Sequence, residues 1–195
     1  NNININSNNI EPELVGIPDF IRNIMPDQPT INIMTLGDVS HGKSTLMYAY
    51  SGEKTGRHSQ SIKNNMTIRL GYTQIKIYKC LICPKPVCYF NEKSYINMNK
   101  IKCPTCNAGK DNIVLLRHLS FIDVPGHCEL MGTMINAISA ADAALLVSDT
   151  SKTFPGYQTK HHFDTANILG LFNNNNLIIA QNKIDIVSKQ KACKN

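Results

Sequence analysis

No apolar run in this 195-residue chain reaches the roughly 18–20 residues that cross a bilayer, so no membrane span is expected. The leading NNININSNN has neither a cationic start nor an apolar block. No signal peptide is therefore read there, and the cytoplasm is the default location. No internal repeat is found, which sets repeat architectures aside. Acidic residues are the scarce charge, 14 against 20 basic, for a formal net charge of +6. The shortage is concentrated. Lys76, Lys79, Lys85, Lys93, Lys100, Lys102 and Lys110 are opposed in their own stretch only by Glu92. Such a patch suits RNA phosphates and suits a merely solvated loop equally well. Asparagine is over-used, a compositional bias without chemistry of its own. The sequon Asn65-Met66-Thr67 is read as accidental.

What is present is enough chain for one domain with a core. Pro12, Pro18 and Pro26 break the first stretch, so residues 1–29 read as an irregular extension. Thereafter apolar strands alternate with helical periodicity. INIMTL (31–36) reads as a strand, STLMYAYSG (44–52) as a helix closed by glycine, and LGYTQIKIY (70–78) as extended. NIVLLRHLSFIDV (112–124) is extended, 127–142 helical, AALLVSDT (143–150) a short strand, and 157–172 helical. NLIIAQNKIDIV (176–187) reads as a last buried strand. The alternation predicts an α/β fold with a mostly parallel sheet and helices on both faces.

GDVSHGKST (37–45) fits G-x-x-x-x-G-K-[ST] between strand and helix. Glycines there let backbone N–H groups curl around phosphate oxygens, beside the positive end of the helix. Asp38, Val39, Ser40, His41, Gly42, Lys43, Ser44 and Thr45 are thus candidate phosphate-loop residues. Lys43 reaches the β- and γ-phosphates, and the Ser44 hydroxyl ligates Mg²⁺. Asp123-Val124-Pro125-Gly126-His127 ends the strand SFIDV. Asp123 is placed to hold Mg²⁺, and Gly126 to offer its N–H to a γ-phosphate. Asn182-Lys183-Ile184-Asp185 ends another strand. A carboxylate at Asp185 accepts guanine N1–H and N2–H, which adenine does not offer, while Asn182 and the Lys183 stem support the base. Ligands of open parallel sheets sit at such strand ends. Thr67, on the loop before LGYTQ, is the candidate sensor of Mg²⁺ and γ-phosphate, and His127 is placed to orient an attacking water. The side chains of His41, His58, His118, His161 and His162 read as structural or surface groups.

Cys80-x-x-Cys83 and Cys103-x-x-Cys106 have nineteen residues between them, inside an insert at 79–111. Four thiolates at this spacing suit tetrahedral Zn²⁺ in a structural role, with Cys88 as an alternative ligand. Cysteines left behind after loss of zinc are the competing reading. Cys128 reads as packed and Cys193 as a tail residue.

These motifs resemble the translational GTPases, which pair a D-x-P-G-H loop with an H-G-K-[ST] phosphate loop. NNMTIRLGY, KIYKC, RHLSFIDVPGH, LMGTMINAISAADAALL and QNKIDIV resemble the family of gamma subunits of eukaryotic and archaeal translation initiation factor 2, over about residues 31–187. Elongation factor Tu, by contrast, has a glycine where Asn65 stands and lacks a cysteine insert here. The resemblance implies a Ras-like P-loop NTPase fold with a zinc-knuckle insert and a GTP-hydrolysing carrier of initiator methionyl-tRNA to the small ribosomal subunit. It implies GTP/GDP, Mg²⁺ and Zn²⁺, alpha and beta partner subunits, and activating and nucleotide-exchange factors. Lys43, Ser44, Thr67, Asp123 and Gly126 would surround Mg²⁺ and the phosphates, with His127 by the hydrolytic water. Two residues depart from the pattern. Asp38 replaces a usual histidine, its side chain expected to point away from the phosphates, and Asn64 replaces a usual arginine. Residues 30–195 are expected to form a truncated GTP-binding domain, ending before the third base-contacting loop and two β-barrels that carry much of the tRNA site. The rivals are a GTP-sensing module with negligible turnover, a selenocysteine-specific elongation factor or another elongation factor Tu-like tRNA carrier, and a nucleic-acid-binding zinc ribbon with a vestigial loop.

Overall fold

The computed structural model describes residues 12–55, 69–173 and 175–193. Two compact units emerge: Ile31–Gln74 with Leu119–Asn195, and Asn1–Thr30 with Ile75–His118.

The first of these is built on parallel strands. β1 (Ile31–Leu36) pairs with the end of β4 (Ile113–Asp123), Ile31 opposite Leu119 and Met34 opposite Ile122. On its other side it pairs with β5 (Ala143–Asp149), and β5 in turn with β6 (Leu177–Asn182), Asp149 opposite Asn182. Strands covered on both faces need near-continuous apolar sequence, which INIMTL and AALLV supply. Even-numbered Met34, Leu36 and Ile122 turn to one face, where Met134, Ala137 and Ile138 of α3 (Met131–Ile138) and Ala166 of α4 (Tyr157–Ile168) complete the core. Phe121 points to the opposite face and stacks on Tyr50 of α2 (Lys43–Ser51), ring centroids 6.4 Å apart. Gly52, at φ 68°, closes α2 as read from the sequence.

In this unit the structure departs from the sequence reading at two elements. β6 exists but is not buried: Ile178 and Ile179 are 56% and 57% exposed. β6 is the outermost strand and pairs, among the described strands, with β5 alone, so its apolar sequence meets little cover. The helix predicted over 127–142 begins with a 3-10 turn, Cys128–Leu130, and is α-helical only over Met131–Ile138.

In the other unit, β2 (Gly71–Cys80) lies between β3 (Tyr89–Lys93) and β4, antiparallel to β3 with Lys79 opposite Tyr89. β2 and β4 are long enough to contribute residues to both units. The sheet architecture is therefore mixed as well as mostly parallel. Prolines predicted an irregular N-terminus, yet α1 (Asp19–Ile24) fits between Pro18 and Pro26. Pro18 stands just before the first turn, where no backbone N–H is missed. Leu14, Met25 and Leu116 bury this segment, and Tyr78, Ile101 and Ile113 form a second small core under the cysteine insert. Among the described residues, no helix is long and apolar enough to cross a membrane.

Candidate functional site

The loop between β1 and α2 has a backbone that side chains rarely permit. Gly37 (φ 131°) and Gly42 (φ 95°) lie in the positive-φ region, with Ser40 (φ 65°) between them. A β-carbon on Gly37 would be driven into the Val147 carbonyl, and one on Gly42 into the Asn182 amide. Both glycines answer conformation and crowding together. The buried Lys43 side chain folds back so that Nζ donates to the carbonyls of Gly37 (2.8 Å) and Asp38 (2.9 Å). Burial pushes this ammonium down to about 8, against the opposing pull of Asp123 and Asp38. A buried cation held only by carbonyl oxygens at a helix N-terminus fits an incoming phosphate.

Asp123 closes the floor of the site, fully buried at the end of β4. Oδ2 accepts from Ser44 Oγ (2.6 Å) and Thr55 Oγ1 (2.5 Å), and Oδ1 from Thr35 Oγ1 (3.3 Å). Val124 N donates to Thr35 Oγ1 at 3.1 Å, which fixes the chain as it leaves β4. A hydroxyl beside a carboxylate is a hard oxygen donor set, and it fits Mg²⁺. Thr55 escaped sequence reading, since one threonine in a polar loop carries no signal. Its place is secured by Gly71, where a β-carbon would come within 2.7 Å of Thr55 Cβ. Gly126 is as tightly held, 2.8 Å separating its would-be β-carbon from Val39 N.

The third segment folds over the loop from β6. Asn182 Nδ2 donates to His41 O (2.9 Å), and Lys183 Nζ donates to Ser40 O (2.8 Å) and Asp149 Oδ2 (2.7 Å). Burial raises the pKa of Asp149, but the Lys183 ammonium and the Ser151 donors outweigh it and hold the carboxyl well below the usual range. Thr150 Oγ1 donates to the Asn182 carbonyl. Asp149 and Thr150 had read only as a strand end; their contact with Asn182 and Lys183 is long-range and left no local signature.

Val39, Ser40, Gly42, Lys43, Ser44, Thr45, Gly126, Asn182, Lys183 and Asp185 line one open cavity of about 440 Å³. All three sequence motifs therefore meet at a single space. Asp185 stands exposed at its edge. Asp123 lies beneath the cavity, on Ser44. Asp38 and His41 turn away from it: Asp38 Oδ1 accepts from Thr159 Oγ1, and His41 Nδ1 lies 3.2 Å from the Val147 carbonyl. Burial lowers the His41 pKa against the opposing pull of the Val147 carbonyl and of Asp38, whose carboxylate lies 4.0 Å from Nε2. His162 is fully buried near these groups, and burial pushes it down to about 4. His127 sits at the start of the α3 segment outside the cavity lining, its Nδ1 accepting from Glu129 N at 3.4 Å. Thr67, with His58, Asn64 and Asn65, lies outside the described residues.

In the other unit, the Sγ atoms of Cys80, Cys83, Cys103 and Cys106 lie within 4.8 Å of one another. Cys80–Cys106 and Cys83–Cys103 are 3.6 and 3.7 Å apart. Tetrahedral zinc with bonds of about 2.3 Å would set sulfur atoms about 3.8 Å apart, so the four thiols fit that ion. Backbone donors at Cys106 and Thr105 outweigh burial and bring the Cys103 thiol down to about 6. Asn107, at φ 58°, turns the second pair back, with Cys103 N donating to Ala108 O (2.9 Å). Cys88 is buried against Cys80 and Cys103 but is not one of the four.

The family described as "Elongation factor Tu GTP binding domain" matches residues 28–195. Translation initiation factor 2 subunit gamma of Sulfurisphaera tokodaii is 44% identical over 167 residues, 86% of this chain and 37% of that protein. The eukaryotic translation initiation factor 2 subunit gamma of Schizosaccharomyces pombe is 43% identical over 171 residues, again covering 37% of its length. The chain thus spans little more than a third of these relatives. Among solved structures, a bacterial selenocysteine-specific elongation factor superposes with a TM-score of 0.58 over 86% of this chain and 22% of that one. At 24% identity this likeness concerns the fold alone.

Proposed function

The chain belongs to the elongation factor Tu GTP-binding domain family, and on that premise we propose that it is the GTP-binding and GTP-hydrolysing part of an initiation factor 2 gamma subunit. The observation that carries this reading is the convergence of the phosphate loop, Gly126 and Asn182-Lys183-Ile184-Asp185 on one cavity. Lys43 holds the β- and γ-phosphates, the N–H of Gly126 meets the γ-phosphate, and Asp185 accepts guanine N1–H and N2–H. Bound Mg²⁺ supplies charge neutralisation at the phosphates, and Ser44, Asp123 and Thr67 are the residues proposed to hold it. His127, next in the chain to Gly126 on the cavity wall, orients the attacking water. Turnover is slow until an activating partner arrives.

For the whole protein we propose carriage of initiator methionyl-tRNA to the small ribosomal subunit in the cytoplasm, with alpha and beta subunits and a nucleotide-exchange factor. Zinc in the Cys80, Cys83, Cys103 and Cys106 site is structural, because four thiolates leave no open position for chemistry. Relatives above 40% identity are named initiation factors, which favours this reading over a selenocysteine-specific carrier.

The test is a fluorescence titration with labelled GDP and labelled ADP in the presence of Mg²⁺. Tight GDP binding without ADP binding is expected. Equal binding of both nucleotides, or of neither, overturns the reading.

A further inference from the structure

Asp38 brings a negative charge into the very loop that is proposed to receive phosphates. Its side chain is spent elsewhere. Oδ1 accepts a 2.7 Å hydrogen bond from Thr159 Oγ1, and Thr159 is fully buried in the first turn of α4. Oδ2 rests against Gly156, where a β-carbon would be driven into the carboxylate. Gly156 is the N-cap of α4 and gives this twelve-residue helix no side-chain cap, and no acidic residue stands in its first turn. The Asp38 carboxylate thus brings a negative charge from another part of the chain to the positive end of this helix, held there by the Thr159 hydroxyl.

The backbone of Asp38 faces the other way. Its carbonyl accepts the Lys43 ammonium at 2.9 Å, and a β-carbon on Gly126 would come within 2.9 Å of its carbonyl carbon. One residue therefore meets Lys43, the Gly126 loop and α4. We infer that Asp38 is a positioning residue whose bond to Thr159 pins the phosphate loop to α4, keeping its carbonyl on Lys43 and its charge off the nucleotide. The inference rests on the guanine-nucleotide reading proposed above. It also assigns Thr159, which no sequence motif marks, to the support of the site.

The test is the dissociation rate of labelled GDP with Mg²⁺ from the full chain, for wild type, Thr159→Ala, Thr159→Ser, Asp38→Ala and the Asp38→Ala/Thr159→Ala double variant. Thr159→Ala is expected to release GDP about tenfold faster, the effect of one lost charge-assisted bond. Thr159→Ser restores the hydroxyl and is expected to return the rate to within about twofold of wild type. In the Asp38→Ala background, Thr159→Ala should change nothing further, since the shared bond is already gone. A Thr159→Ala rate equal to wild type overturns the inference. So does an equal acceleration in both backgrounds, which would mean that Thr159 serves only helix stability. Wild-type protein that takes up no GDP overturns the guanine reading and this inference with it.

Discussion

In its proposed role Lys43 meets two opposing demands: it must be charged to hold a phosphate, yet it is buried away from water. Burial wins and brings its pKa to about 8. A phosphate would favour the charged form and raise that value. The stabilisation of the complex is therefore fully present below pH 8 and is lost as pH rises above it. GDP binding at pH 9 is expected to take up a proton, approaching about one per nucleotide, and at pH 7 almost none. Calorimetry in two buffers of different ionisation heat reads this directly. Asp185 is the residue on which we propose that base choice turns. Asp185→Asn is expected to lower GDP affinity on the order of a hundredfold, because two charge-assisted acceptors become one neutral acceptor and a donor. Xanthosine diphosphate, with a carbonyl where guanine has its amine, should gain affinity for that variant. A GDP affinity that stays unchanged would remove Asp185 from the base site.

At the scale of elements, the site is a set of strand ends held in register. Asp149 opposite Asn182 brings the ends of β5 and β6 level, β1 ends earlier with Leu36 opposite Leu146, and the loops after β1, β4 and β6 share one cavity. The crowding of these loops explains their glycines. Gly126→Ala would place a methyl group 2.8 Å from Val39 N, against backbone that has no room to yield. At least about a tenfold loss in affinity for a non-hydrolysable GTP analogue is expected, with a smaller loss for GDP. Equal losses for the two nucleotides would mean that Gly126 does not face a γ-phosphate. Helices α2, α3 and α4 were legible from periodicity, with Gly52 marking one end. Less legible were α1, which Pro18 permits where prolines suggested no helix, and the start of the α3 segment, which spends its first turn as a 3-10 helix. β6 misled in another way, because composition records how apolar a strand is and not whether anything lies across it.

At the scale of the molecule, the two compact units divide the work. One carries the cavity proposed for the nucleotide and the other the four thiols. Metal analysis is expected to find about one zinc ion per chain, lost in Cys106→Ser, while GDP affinity shifts by less than about threefold. Zinc-free protein that no longer binds GDP would show the metal to be part of the nucleotide machinery. The sequence by itself determined the α/β alternation, the three motifs and the paired cysteines, since each is written in residues close along the chain and obeys local rules of turn, period and spacing. Only the tertiary structure decided that Thr55 and Thr35 share Asp123, that Asp149 holds Lys183, and that Asp38 turns to Thr159. Those partners stand 68, 88, 34 and 121 residues apart, and contacts at such separations arise from packing, which leaves no periodic trace in the chain.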